Sequence, residues 1–376
     1  MSLVEIPTPL SAPAAAAAPR RDLLGLTRER LAQELAGVVD RPFRVGQIFD
    51  ALHRQGVTDF GQITNLSKEL RAELAERFRI GLPEIAERCL AADGTCKYLL
   101  RLLDGATIEA VDIPDFERDR RTLCISSQAG CALACAFCVT GYWGAGRNLT
   151  SGEIVAQVLT LRADRQLELE SEGLNLVFMG MGEPLLNLAN LKDALEVLSG
   201  QISPRRITVS TVGILPALEE MAGWERRPNL AVSLHAPDDE RRSQVMPINR
   251  TYPLADLMAA LDRYPLEPRR RITYEYILIR GFNDAERDAD LLARLLRGRK
   301  AKVNLIPVNP DPVLGDTMVP PDPATVDRFQ QRLRGHGLTA TVRRRRGDDV
   351  SAACGQLRAF GRDPRGVRAR ADASGT

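Results

Sequence analysis

Cys131, Cys135 and Cys138 stand at a CxxxCxxC spacing in the stretch Gly130 to Cys138, directly after the apolar run Leu123-Cys124-Ile125-Ser126-Ser127. Three thiolates from one tight loop can hold three corners of an iron–sulfur cube and leave the fourth iron open to a ligand. A closed structural zinc site takes four protein ligands instead. An open iron can bind a substrate or cofactor, so the loop points to chemistry. Spacing alone leaves open a zinc knob completed by Cys124, or a reduced trio on a surface loop.

Further candidates follow along the chain. In Gly180-Met181-Gly182-Glu183-Pro184 two glycines allow close backbone approach to a ligand, and Glu183 can accept a hydrogen bond from an ammonium group. Ser210-Thr211 and Ser233-Leu234-His235 offer hydroxyls and an imidazole for a cofactor carboxylate or ribose, although a lone histidine at a strand end is usually structural. Asn309 is a candidate contact for adenine or ribose. With only His53, His235 and His336 in the chain, histidine-based metal chemistry is improbable. Arg343 to Arg346 suit a phosphate backbone or a solvated charge run, and Cys354 lies in a small-residue loop just beyond them. Cys89 and Cys96 have no metal spacing to anything.

The elements that must position these residues are legible from period and punctuation. Residues 22–82 read as a helical accessory unit, with Leu24, Leu31, Leu35 and Val38 on one face and Phe43, Ile48, Phe49 and Leu52 beginning the next. Its arginines decorate a solvated face or an RNA-docking one. Over 83–119 the period changes to two, and Asp93-Gly94 and Asp104-Gly105 mark hairpin turns. From 120 to 360 strands alternate with helices. The strands are expected at 122–127, 174–180, 206–211, 229–235, 272–279, 302–308 and 339–344, and the helices near 151–163, 188–199, 214–223, 253–264, 284–297 and 323–335. Such alternation means a parallel sheet with crossover helices, here an α/β partial (β/α)6 barrel. Reactive groups in these folds sit at the carboxyl ends of strands, where most of the polar motifs fall.

At 376 residues, with 44% apolar and 27% charged residues, the chain is an ordinary globular protein. A net charge of +2 makes no case for RNA by itself. Arg269-Arg270-Arg271, Arg297 to Lys302 and Arg343 to Arg346 are compatible with it. Seven cysteines, three in one loop, suit a reducing cytoplasm better than a secreted disulfide framework. Residues 1–21 read as a disordered Ala/Pro leader and 361–376 as a disordered basic tail. No signal peptide or membrane span is expected.

CxxxCxxC with Phe137 before the last cysteine resembles the signature of radical S-adenosylmethionine enzymes, and Gly180 to Pro184 resembles their GGEP element. The match narrows with residues 122–141, 180–187 (GMGEPLLN), 233–237 (SLHAP), 246–249 (MPIN), 281–284 (GFND), 304–310 (NLIPVNP) and 346–357 (RGDDVSAACGQL). Together these are similar to the RlmN family of adenine carbon-2 RNA methyltransferases, from about residue 25 to 360. The departures are the leader, the tail and a lengthened link from Asp115 to Arg121.

The resemblance implies a 4Fe–4S cluster on Cys131, Cys135 and Cys138. It also implies two S-adenosylmethionine molecules per turnover, with cofactor contacts at Gly182, Glu183, Ser210, Ser233, Leu234, His235 and Asn309. It implies that Cys354 becomes S-methylcysteine and delivers a methylene radical to carbon 2. Cys124 then releases the tethered RNA by forming a disulfide, and Glu109 accepts the carbon-2 proton. The implied substrates are an adenine of the peptidyl-transferase region of 23S rRNA and the adenine following the anticodon of certain tRNAs. A reductant such as flavodoxin and a monomeric state are implied as well. The carbon-8 family Cfr carries the same cysteine set and is the close alternative; a metal-containing RNA-binding protein is the non-catalytic one.

Overall fold

The computed structural model describes residues 20–343, 346–347 and 355–357. Cys354, the segments read as leader (to residue 19) and tail, and Arg344 and Arg345 lie outside the described residues.

The N-terminal unit is helical, as its period predicts. α1 (Arg28–Glu34) starts where the Thr27 hydroxyl accepts from the Arg30 N–H. α2 (Pro42–Asp50) starts on a proline whose missing N–H costs a first turn nothing. It runs into one π-helical turn, Ala51–Gln55, ended by Gly56 at φ 70. α3 (Lys68–Arg77) is capped by Ser67. Two short parallel strands, β1 (Arg21–Asp22) and β2 (Phe78–Arg79), close the unit. Leu24, Leu31, Leu35, Ile48, Phe49 and Leu52 are buried together. Phe43 departs from the expected core: placed in the first turn of α2, it points to solvent.

This unit is docked by backbone contact. A Cβ on Gly25 would lie 2.3 Å from the Gly152 nitrogen, and one on Gly152 would lie 2.6 Å from the Leu24 carbonyl. Only glycines permit that approach. Arg30 pairs with Asp193, and the Gln201 amide donates to the His53 carbonyl at 2.8 Å.

The remaining strands form one ten-stranded sheet in sequential order. β3 (Glu84–Leu90), β4 (Cys96–Arg101), β5 (Thr107–Asp115) and β6 (Arg120–Cys124) are antiparallel. Then β7 (Leu174–Phe178), β8 (Ile207–Thr211), β9 (Asn229–Ser233), β10 (Ile272–Leu278), β11 (Ala301–Pro307) and β12 (Thr339–Val342) follow β6 in parallel. The hairpin region expected as a separate extension therefore continues the barrel sheet. The reason is that β5 pairs with β6 in register, Val111 opposite Cys124.

The crossovers carry α5 (Ser151–Arg165), α6 (Leu188–Leu198), α7 (Leu215–Ala222), α8 (Asp239–Val245) and α9 (Leu254–Arg263), then α10 (Glu286–Leu295) and α11 (Pro323–Gly335). α8 was not anticipated; Asp238 caps it by accepting from the Arg241 N–H. Strand residues alternate in burial. Leu174, Leu176 and Phe178 are buried, while Asn175 and Val177 are half-buried; Thr208, Ser210, Thr273, Asn304 and Ile306 repeat the second pattern. One face is thus apolar and covered, and the other is polar and half-open.

Candidate active site

The cysteine loop is held at the carboxyl ends of the parallel strands. Past β6 the chain clips onto the glycine loop: the Ser127 and Gln128 N–H groups both donate to the Met181 carbonyl, at 2.9 and 3.2 Å. Gly130 then turns at φ 120, where a Cβ would lie 2.6 Å from the Gly144 carbonyl. The Cys131 N–H donates to that same carbonyl at 2.9 Å, and the Ala136 N–H donates to the Val245 carbonyl at the end of α8, also at 2.9 Å. A short helix, α4 (Val139–Tyr142), follows Cys138.

All three thiols line one cleft, together with Phe137, Gly180, Gly182, Glu183, Ser210, Ser233, His235, Glu275, Arg343 and Gly355. Burial pushes the Cys131 thiol up to about 11 and lifts Cys135 well above its ordinary value, with repulsion from the neighbouring thiolates adding to both. A bound cation reverses that balance and deprotonates such thiols. Among the described residues no three His, Cys, Asp or Glu side chains converge on a single ion. Cys131, Cys135 and Cys138 line the cleft and Cys124, in β6, does not, so the donor set fits a three-cysteine cluster and leaves the zinc knob without its fourth ligand.

Glu183 is fully enclosed. Its carboxylate accepts from the Thr211 hydroxyl at 2.6 Å, the Val212 N–H at 3.0 Å and the Leu185 N–H at 3.0 Å. Burial raises its pKa against these three bonds. A carboxylate has roughly four acceptor sites, so room for one further donor such as an ammonium remains. The sequence marked Glu183 and Ser210-Thr211 separately; the fold joins them.

His235 sits at φ 60, with its ring edge-on to Phe137 at 4.5 Å between centroids. The Ile277 N–H donates to its Nδ1 at 3.1 Å, which leaves the proton on Nε2. Burial first, and the Arg242 charge second, lower its pKa to about 3, so the imidazole is neutral. Leu234 is buried and serves through its backbone, donating to the Glu275 carbonyl at 3.0 Å. Asn309 is buried beside Pro310 and does not line the cleft.

Cys124 and Glu109 share a sheet face. Val111 lies opposite Cys124 across β5 and β6, and Glu109 is one alternation further along β5 on the same face. The Ser126 hydroxyl donates to the Glu109 carbonyl at 2.6 Å, and the Glu109 N–H donates to the Met181 sulfur at 3.3 Å. Although β5 runs antiparallel, this brings its amino end to the carboxyl ends of its neighbours. The Glu109 carboxylate lies 3.3 Å from the Lys97 ammonium, with both residues buried. That partner was not anticipated.

Gly355, next to Cys354, accepts at its carbonyl from the Val139 N–H at 2.7 Å. The Thr140 hydroxyl donates to the Leu357 carbonyl at 2.7 Å, and the Gln356 amide donates to the Pro310 carbonyl at 2.9 Å. The C-terminal segment is thereby bonded to the helix that follows Cys138.

Around the mouth, Tyr142, Trp143, Leu186 and Leu103 are exposed. Their loops are tied together: Asn148 donates to the Leu186 carbonyl at 3.2 Å, and Arg147 pairs with Asp104 at 2.7 Å. The clusters Arg269 to Arg271 and Arg297 to Lys302 precede β10 and enter β11. They therefore lie at the opposite rim, where Arg299 pairs with Asp262 at 2.7 Å.

Residues 125–292 match the model of the radical SAM superfamily, and residues 21–80 match that of the ribosomal RNA large subunit methyltransferase N-terminal domain. The dual-specificity RNA methyltransferase RlmN of Anaeromyxobacter dehalogenans is 48% identical over 367 residues, covering 94% of this chain and 96% of that protein. The protein of the same name from Geobacter sulfurreducens is 47% identical over 343 residues, covering 90% and 92%. A solved radical SAM methyltransferase from Sphaerobacter thermophilus superposes with a TM-score of 0.83 at 44% identity, covering 90% of this chain and 99% of that one. On these identities and coverages the chain belongs to the RlmN family of radical S-adenosylmethionine enzymes.

Proposed function

We propose that the chain methylates carbon 2 of an RNA adenine, with Cys354 as methyl carrier, Cys124 as resolving thiol and Glu109 as proton acceptor. As a radical S-adenosylmethionine RNA methyltransferase it uses a 4Fe–4S cluster and S-adenosylmethionine. Cys131, Cys135 and Cys138 would hold the cluster, and Gly182, Glu183, Ser210, Ser233 and His235 would surround the cofactor, with Leu234 shaping the strand end behind them. When bound, the cluster supplies the electron that turns S-adenosylmethionine into a hydrogen-abstracting agent. The observation that carries the reading is the Val139 N–H donating to the Gly355 carbonyl at 2.7 Å. It ties Gly355, the residue after Cys354 in the sequence, to the first turn after Cys138.

The chain's own residues then divide the work. Carbon 2 of adenine is electron-poor and cannot attack a methylsulfonium, whereas a thiolate can, so Cys354 takes the methyl group first. Its methyl, once stripped of one hydrogen atom, would bond to carbon 2; Glu109 removes the carbon-2 proton, and the one electron then in excess on the ring would return to the enzyme's cluster. Lys97 at 3.3 Å holds the Glu109 carboxylate in place for this. The Cys124 thiolate attacks the Cys354 sulfur and breaks its bond to the transferred carbon, which takes up a proton as the methyl group; the disulfide so formed is reduced by an external dithiol. Water is kept from Glu109 by burial. Exposed Tyr142 and Trp143 at the mouth suit the unpaired bases that flank an extruded adenine.

Both 23S rRNA and tRNA are taken as substrates, in a cytoplasmic monomer fed by a flavodoxin-type reductant. Among the described residues no helix is long and apolar enough to cross a membrane. The test uses protein reconstituted without oxygen, given S-adenosylmethionine, reductant and unmodified 23S rRNA fragment or tRNA. Mass spectrometry against synthetic standards should show 2-methyladenosine from wild type and none from Cys354→Ala. A product carrying only 8-methyladenosine would overturn the assignment to carbon 2.

A further inference from the structure

The largest fully buried side chain among the described residues is Arg242 of α8, which no step above employs. Its Nε donates to the Leu234 carbonyl at 3.2 Å. Nη2 donates to the carbonyls of Val212 at 2.9 Å and Ser233 at 3.2 Å, and Nη1 to the Asn249 amide oxygen at 2.6 Å. The guanidinium therefore ties the carboxyl end of β8 to that of β9, the two strand ends expected to touch the cofactor. Its partners are dipoles. Among the described residues no carboxylate lies within ion-pair distance of it, and the acid nearest in sequence, Asp239, is engaged by the Asn249 amide at 2.9 Å and the Leu254 N–H at 2.7 Å.

One helical turn further on, the Val245 carbonyl receives the Ala136 N–H, the residue after Cys135. A buried cation with no carboxylate in ion-pair contact, on which Asp239 acts only at longer range, thus sits behind the cysteine loop. Burial is expensive for such a charge, and lowers the Arg242 pKa to about 10 while Cys135 opposes the drop. The guanidinium still remains charged near neutral pH. Reduction adds negative charge to an iron–sulfur cluster, and net charge around it sets its potential.

We propose that Arg242 is a positioning residue with two separable roles. Its hydrogen bonds hold the ends of β8 and β9 in register for the cofactor, and its buried charge, in direct contact with no carboxylate, raises the reduction potential of the cluster bound by Cys131, Cys135 and Cys138. The inference rests on the cluster assignment made above. Wild-type protein that takes up no iron would defeat that assignment, and this inference with it, before any variant is compared.

The experiment is a potentiometric titration of the reconstituted full chain, followed by electron paramagnetic resonance, on wild type, Arg242→Gln and Arg242→Lys. Iron content is checked for each protein. Removing the charge should weaken reduction about tenfold, which for a one-electron couple is about 59 mV to more negative potential. Lysine keeps the charge but not the planar fork. It should restore most of the potential, while both variants lose affinity for S-adenosylmethionine. A glutamine variant with a full cluster and the wild-type potential would overturn the proposal, and so would a lysine variant that falls as far as glutamine. If glutamine prevents cluster assembly and lysine allows it, the charge role stands. If both prevent it equally, Arg242 is only a strut and the electrostatic role is refuted.

Discussion

Replacing Gly182 with alanine asks two things of the glycine loop at once. The backbone there is at φ 94, a region that costs an L-residue about 1–2 kcal/mol. The new Cβ would also lie 2.5 Å from Gln128 Cβ, and 2.7 Å from both its Cγ and its backbone nitrogen. Gln128 cannot withdraw cheaply. Its N–H donates to the Met181 carbonyl at 3.2 Å, and its side-chain oxygen accepts from the Glu183 N–H at 2.8 Å. Overpacking of this kind adds about 1–3 kcal/mol, for a total of about 2–5 kcal/mol. Gly281→Ala is the matched control: φ is 70 there, but nothing lies within 4 Å of the added carbon, so only the backbone cost applies. Urea unfolding followed by circular dichroism should therefore place the Gly182→Ala midpoint clearly below that of Gly281→Ala. S-adenosylmethionine binding should fall only in the former, because Glu183 is displaced. Equal midpoints would refute the claim that the loop is closed against Gln128.

Stability should fall on mild acidification. His53 and His235 are neutral in the fold, with pKa values lowered to about 4 and about 3 chiefly by burial. Depressed folded values mean that their contribution is present above about 6.5 and is lost as pH drops toward 4 and 3. Between pH 7 and pH 5 each should cost about 2 kcal/mol, read as a falling urea midpoint that flattens in His235→Gln; an identical slope in the variant would contradict this. Thr211→Val removes the hydroxyl that bonds Glu183 and should cost about 1.5–3 kcal/mol together with cofactor affinity, measured by calorimetry. Unchanged affinity would mean that Glu183 is held without it. Trp143→Ala should weaken RNA binding by about 1–3 kcal/mol per lost stacked base, raising KM for RNA while leaving S-adenosylmethionine affinity alone. An unaltered KM would remove the exposed rim from the RNA path.

Much of the site was legible because its chemistry depends on local spacing. The three cysteines, the two glycines and Glu183 lie on short stretches whose residue types have few other reasons to occur together. Strand positions were readable for the same reason: Ile207 to Thr211 and Leu174 to Phe178 are β-branched or apolar runs between turn residues. Less was legible where a residue's role depends on what packs over it. Arg242 reads as one charge in Asp238-Asp239-Glu240-Arg241-Arg242, the picture of a solvated helix start. An aspartate cap before an acidic first turn could have flagged α8, but not that its fourth residue is buried.

The sequence by itself determined the family chemistry, the order of strands and helices and the end of the sheet at which the site lies. These follow from spacing, period and the rule that parallel strands present their carboxyl ends. Tertiary structure alone decided that β5 joins the barrel sheet and brings Glu109 to Lys97, and that Thr211 anchors Glu183. It also left Phe43 in solvent and placed a buried cation behind Cys135. Each of those outcomes is set by register or burial between segments distant in the chain, and such interactions leave no periodic trace in the residues that make them.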